Sequence, residues 1–314
     1  MKYIIKKIIT LIITLLLISL IVFAAFSVIP GDAVVTRLGT DATQEQIDAL
    51  REEMGLNDPL PVRYVNWLAD AVRGDFGESY QYSGTTVSSL LADRLPVTVL
   101  LAILSLILIL VVSIPLGIIS ARHAGGWLDT LINQGSQVAM AIPSFFLGMI
   151  LTYIFGLVLH WFQPGAFVQP SESFWGCIQS LIFPAIAVAV PKIAMVIKFL
   201  RNSILSELDK DYVRTAYSKG NKEKRVLYKH VFRNALIPVL TFLAMVIAEI
   251  LAGSLVVEQV FSIPGVGQLL ITSISNRDYP VVQAIVVYIT AVVVIVNFIV
   301  DMLYHYVDPR VKVA

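Results

Sequence analysis

Four ionisable side chains, Lys192, Lys198, Glu249 and Asp301, stand in or beside otherwise apolar runs. A charge at the centre of a bilayer costs about 2.5–3.5 kcal/mol on insertion scales, so such groups find partners or do work. Glu249 stands 13 residues into its run, roughly 20 Å along a helix from one end. Lys192 precedes Arg201 by nine residues, roughly 13 Å from the same end. Two long side chains can close that gap. Lys192 with Glu249 is therefore expected as a buried ion pair or as polar lining of a pathway, with an intersubunit interface as the competing use. Lys198 and Asp301 lie near the ends of their runs, where a charge reaches the interface, and read as structural.

Other chemistry is missing from the chain. HExxH, GxSxG and GxxxxGK[ST] do not occur, and no two aspartates face each other from apolar runs. His123, His160, His230 and His305 are scattered with no pair at ligand spacing, and the single Cys177 cannot form an internal disulfide. No catalytic residue and no metal ligand is expected, and any ATP would have to be bound by another chain.

The elements that hold these charges are membrane spans. With 57% hydrophobic and 14% charged residues, the 314-residue chain is not an ordinary soluble globule. Apolar runs near residues 8–29, 97–121, 131–159, 177–200, 236–258 and 281–304 are each long enough to cross a bilayer, which takes about 20 residues. The first run is longer than the core of a signal peptide, so it reads as a retained anchor. The net charge of +1 gives no reason to expect nucleic acid. Pro115, Pro143, Pro184 and Pro191 are expected to interrupt spans. Gly148, Thr152 and Gly156 form a small-residue stripe for close packing, and Ser144 is a further candidate for pathway lining.

Residues 201–234, RNSILSELDKDYVRTAYSKGNKEKRVLYKHVFRN, form a polar insert between the fourth and fifth runs. A connection between bundled helices needs only about 2–8 residues, so this one suggests a working part. DYVRTAYS predicts a helix of about two turns, with Gly220 ending it in the left-handed conformation. Asn221 is expected to cap a second short helix, KEKRVLYKHVFR, on which Val226, Leu227 and Val231 share a face. A helix so short is marginal in water, so a docking surface on another protein is expected. Lying on anionic lipid is the alternative use of so basic a segment.

Residues 30–96 form the other large polar segment. Thr43 with Gln46 makes a capping-box pattern ahead of a helix carrying Ile47, Leu50 and Met54, which Gly55 ends. A second helix is expected to present Tyr64, Leu68 and Val72 on one side, and the region reads as a small helical cap. It holds five basic and eleven acidic residues, whereas residues 201–234 hold nine basic and four acidic ones. By the positive-inside rule both termini and the insert are cytoplasmic, and the 30–96 loop is outside.

Taken together, three blocks resemble the permease subunit of bacterial dipeptide, oligopeptide and nickel ABC importers. They are IPGDAVVTRLG with ATQEQIDALREEMGLNDPLPVRYVNWL and GDFGESY, then DYVRTAYSKGNKEKRVLYKHVFRNALIPV, and VVEQVFSIPGVGQLLITSISNRDYPVVQA. The likeness runs from Ile29 to Pro309, with Ala216, Gly220 and Pro238 in the order of that family's cytoplasmic EAA-type loop. It departs at Tyr217 and Ser218, where a basic and a small residue are the pattern. A small residue is also more usual in the family at Glu249, making that side chain a contributor to substrate preference.

The resemblance implies an all-α polytopic membrane protein with six transmembrane helices and the type I ABC importer permease fold. Its parts would be an N-terminal transmembrane helix (1–30), an extracellular helical loop region (31–96) and a permease core (97–314) carrying the coupling loop 201–234. The implied partners are a second, homologous permease, giving a heterodimer, two ATP-binding subunits and an extracellular substrate-binding protein. ATP and magnesium would sit on the ATPase subunits, with no cofactor and no enzyme activity in this chain. Tyr212, Arg214, Thr215, Ala216, Lys219 and Gly220 would form the ATPase-coupling helix. Imported peptide is the leading substrate, with nickel, a metal chelate or a glutathione-like solute as rivals. The competing function is an ion-coupled secondary transporter, which would favour inverted repeats and paired deep acids. No internal repeat is visible, and Glu249 is the one deep acid.

Overall fold

The computed structural model describes residues 2–28, 34, 43–53, 55–82 and 84–307. Its helices are α1 (Lys2–Val28), α2 (Gln44–Glu53), α3 (Leu60–Val72), α4 (Val87–Arg122), α5 (Trp127–Ala141) and α6 (Ser144–Leu151), then α7 (Phe174–Leu208), α8 (Asp211–Ser218), α9 (Phe232–Val260), α10 (Val266–Ser275) and α11 (Tyr279–Val307). A π-helical stretch, Thr152–Val158, prolongs α6, and another, Val226–Val231, leads into α9. By length and composition α1, α4, α7, α9 and α11 can each cross a membrane, and α5 with α6 makes a sixth if that bent pair counts as one span.

The chain divides into two compact units. The first comprises residues 1–98 and 264–294. Its core joins Val87 and Leu91 of α4, Val266 and Leu269 of α10, and Val281, Ala284 and Ile285 of α11. Thr98 Oγ1 accepts the Val266 N–H at 2.9 Å, satisfying a donor that the start of α10 would otherwise leave unpaired. Buried Asp278 accepts from Ser79 Oγ at 2.5 Å and from the Tyr80 N–H at 3.0 Å, fixing the loop before α4. The expected capping box is present: Thr43 N–H donates to Gln46 Oε1 at 3.0 Å, and Gln46 N–H donates to Thr43 Oγ1 at 3.4 Å. Gly55 closes this turn at φ +62°. On α3, Tyr64 and Trp67 face Phe23 of α1 with ring centroids 5.5 and 5.7 Å apart. Val72 does not join that face but is exposed. The side chains of Leu50 and Met54 lie outside the described residues, as does that of Asp301.

The second unit, residues 99–263 and 295–314, is built around α7. Ala185, Ala187, Val188, Val196, Leu200 and Ile204 are all buried along it. Gly117 lets α4 approach closely: a Cβ there would stand 2.9 Å from Leu200 Cδ2. Of the small-residue stripe, Gly148 on α6 packs closely, since a Cβ there would meet Phe261 at 3.1 Å, and one at Gly156 in the π-helical stretch would meet Pro164 at 2.9 Å. Helices α7 and α9 lie side by side, with Phe199 stacked on Phe242 at 4.4 Å and Ser203 Oγ donating to the Ala235 carbonyl at 2.9 Å.

Only one of the four prolines expected to interrupt a span does so. Helices α4 and α7 run unbroken through Pro115, Pro184 and Pro191. At Pro143 the third span bends by 94°. Ile142 takes φ −89° and ψ 118°, the extended conformation that a following proline imposes, and Pro143 then opens α6. Pro184 and Pro191 are tolerated because each removes only one helical hydrogen bond inside a packed bundle.

Candidate functional site

Helix α8 spans the eight residues predicted for it. Asp211 opens it with a charge that suits a helix N-terminus. Glu207, at the end of α7, holds it from behind: its carboxylate pairs with Lys210 and accepts from Tyr212 Oη at 2.7 Å. Burial and then Glu207 raise the Tyr212 pKa, so the phenol stays protonated and keeps donating. At the other end Gly220 takes φ +75°, and its N–H reaches the Tyr217 carbonyl at 2.8 Å.

Two expectations about this segment are corrected. Asn221 does not cap a second helix; its Nδ2 donates to the Ala216 carbonyl at 2.9 Å and so closes α8. The residues after it do not form a separate helix either. Glu223–Val260 is one continuous helical span, with the π-helical Val226–Val231 stretch inside it.

The surface on which α8 docks also differs from the expectation. Val213 and Ala216 are buried in this chain, against the stretch that carries buried Val226, Leu227 and Val231. Full burial of one valine is worth about 1.5–3 kcal/mol, enough to hold two turns that would be marginal in water. The face of Tyr212 and Ala216 is therefore taken up internally, and Tyr212 is half-buried. Asp211, Arg214, Thr215, Tyr217, Ser218, Lys219 and Gly220 form the exposed face. Arg214 has 80% of its side chain exposed and only a loose 3.7 Å contact to Asp211.

One cluster was missed altogether. Arg201 Nε donates to Asp129 Oδ1 and Arg201 Nη2 to Asp129 Oδ2, both at 2.6 Å. Asp129 also accepts from Ser120 Oγ at 2.6 Å, Asn133 Nδ2 at 2.6 Å and the Gly125 N–H at 2.9 Å. This saturated carboxylate ties α4, α5 and α7 together seven residues before the end of α7, and Glu207 then orients α8. An acid two residues into a helix that follows Gly125 and Gly126, with an arginine closing another apolar run, was the available signal.

Lys192 and Glu249 form the expected ion pair across α7 and α9. The pair is not buried: the Glu249 side chain is 44% exposed and that of Lys192 21%. Ser144 is half-buried at the start of α6. Lys198 Nζ donates to Gln137 Oε1 at 3.3 Å and so has a structural partner. Among the described residues, no three His, Cys, Asp or Glu side chains gather as a metal site.

Comparison with known proteins extends these observations over nearly the whole chain. Residues 113–313 match the binding-protein-dependent transport system inner membrane component, and residues 1–102 match the N-terminal membrane component of the same systems. The oligopeptide transport system permease protein AppB of Bacillus subtilis is 40% identical over 312 residues, 99% of each chain. A probable peptide ABC transporter permease of Sinorhizobium fredii, y4tP, is 34% identical over 310 residues, again 99% of each chain. A putative peptide permease protein of Brucella suis is 36% identical over 304 residues, 96% of this chain and 95% of its own length.

Proposed function

Because the chain belongs to the family of binding-protein-dependent transport system inner membrane components, with the type I ABC permease fold, we propose that it forms the pathway of an ATP-driven peptide importer. Membership makes it a multi-pass subunit of the inner membrane in an ABC importer. Peptide as cargo is supported by the names of its full-length relatives. No specific observation favours nickel.

The second half of the pathway comes from a different, homologous permease, and an extracellular binding protein delivers the substrate. Two ATPase subunits hold ATP and magnesium; this chain carries no cofactor and no catalytic group. Both termini and residues 201–234 face the cytoplasm, residues 31–96 face outwards, and residues 97–314 form the core around the pathway.

The observation that carries the coupling role is the division of α8 into two faces. Val213 and Ala216 fasten the helix to its own chain, while Arg214, Thr215, Lys219 and Gly220 point away from it. A helix held so firmly and left so bare outside suits a socket on another protein. Arg214 and Lys219 meet acidic groups of the ATPase there, and Tyr212 and Ala216 keep the helix in place. When the ATPase subunits close, α8 moves as a rigid piece. Glu207 passes the displacement to α7, and the Val226–Val231 stretch passes it to α9. The two spans that carry Lys192 and Glu249 are thus the two directly geared to α8.

The test is co-purification and ATP hydrolysis of the assembled complex with R214E/K219E. Loss of ATPase association with the permease still folded supports the proposal. Unchanged association and unchanged peptide uptake would remove it.

A further inference from the structure

We propose that Lys192 and Glu249 form a substrate subsite that takes the charged termini of a peptide in transit. The Lys192 ammonium receives the C-terminal carboxylate, and the Glu249 carboxylate receives the N-terminal ammonium. The inference rests on the peptide-import reading and gives it a place in the membrane.

The pair lies deep within its spans. Phe199, seven residues after Lys192, stacks on Phe242, seven residues before Glu249. The two charges therefore share one level of a register that the aromatic contact fixes independently. Nine residues of helix separate Lys192 from Arg201, about 13 Å, which is close to half of a hydrocarbon core of about 30 Å.

The pair also lies on an exposed face. Thr241, Met245 and Glu249 recur every fourth residue along α9, and all three are exposed. Among the described residues, nothing of its own chain covers this stripe. Hydrocarbon would strip a half-exposed carboxylate of the water it needs, so the stripe borders water or protein.

The Asp129 clasp is built differently. Asp129 fills its acceptor sites with two bonds from Arg201 and three more from Ser120, Asn133 and Gly125. That is how a structural ion pair is built. Among the described residues, Lys192 and Glu249 bond only to each other. The ammonium retains two donors and the carboxylate most of its acceptor sites. Spare capacity on a mobile lysine stem suits a transient partner.

The exchange keeps charge balanced. At neutral pH an unblocked peptide carries a terminal ammonium and a terminal carboxylate. Loading replaces one internal ion pair by two external ones, and release lets the internal pair close again. Neither state leaves a lone ion in the membrane.

The experiment uses the complete transporter, purified and in proteoliposomes. A tripeptide with a central photoreactive residue is cross-linked to the complex without binding protein. Free tri-alanine and N-acetyl-tri-alanine amide then compete for labelling. In the wild type the free peptide is expected to compete at least tenfold better. In K192M/E249Q, which removes both charges together, the two should compete within twofold of each other. Equal competition in the wild type, or undiminished discrimination in the variant, overturns the subsite. Loss of the second permease from the purified variant assigns the pair to the subunit interface and overturns it too. ATP-dependent uptake of labelled tri-alanine by wild-type proteoliposomes separates the two levels. Uptake without discrimination removes only the subsite, whereas no peptide uptake removes the import reading itself.

Discussion

Arg201 grips Asp129 with both arms of its guanidinium, each at 2.6 Å, although 72 residues separate them. The planar fork fits a carboxylate in a way that a lysine ammonium cannot. Three helices meet at this carboxylate, and α8 begins ten residues beyond Arg201. Movement of α8 therefore reaches α7 at a point already bolted to α4 and α5. In the proposed coupling, the clasp makes these ends one piece, so that force would turn into rocking and not into local bending.

Breaking the clasp should cost more than removing an ordinary surface pair. D129A leaves Arg201 without its partner, and loss of one member of a largely buried pair costs about 3–5 kcal/mol. R201K keeps the charge but loses the fork, and should cost less. Thermal unfolding of the purified subunit complex checks the order D129A, R201K, wild type from least to most stable. Equal melting temperatures for all three would remove the clasp from the account.

Gly117 and Gly220 should respond to alanine for opposite reasons. At Gly117 a methyl group would press on Leu200, which is fully buried and cannot swing away, so about 1–3 kcal/mol of overpacking is expected. At Gly220 nothing lies within 4 Å, and only the left-handed backbone at φ +75° resists, at about 1 kcal/mol. Melting temperatures of G117A and G220A compared with wild type test this. A larger loss in G220A would contradict it.

On α8 the two faces should separate stability from coupling. R214E/K219E alters exposed positions, so stability should move by no more than about 0.5 kcal/mol while ATPase association falls. A216W places a large ring in a buried site and should lower both. Paired measurements of melting temperature and ATPase co-purification decide the matter.

Charge reversal tests whether Lys192 and Glu249 act as a pair. K192E or E249K alone puts two like charges side by side in the membrane and should reduce assembled complex several-fold. K192E/E249K should restore most of it. Absence of rescue would mean that the two groups act separately.

Much of this architecture is written locally and so was legible in the sequence. The capping box of Thr43 with Gln46, the left-handed Gly220 and the bounds of α8 depend on neighbours within a few residues. Lys192 and Glu249 stood out because charges are rare in apolar runs. What the sequence did not disclose depends on tertiary packing. Asp129 and Arg201 look like ordinary helix-end charges until α5 and α7 are brought together. Asn221 closes α8 because the Ala216 carbonyl lies within its reach, an option the capping pattern did not distinguish. Pro143 differs from Pro184 and Pro191 in where the chain can turn, not in its chemistry. Val72 fits the spacing of the α3 face, yet it lies exposed while Phe23 packs on Tyr64 and Trp67.

In the proposed mechanism, ATP hydrolysis on a partner, transmitted through α8, drives uptake. The most direct measurement is accumulation of a labelled peptide in proteoliposomes holding the full complex, with ATP supplied or withheld and ion gradients abolished. The account predicts accumulation that requires ATP and disappears in R214E/K219E. Accumulation without ATP, driven by an imposed proton or sodium gradient and indifferent to those substitutions, would contradict it.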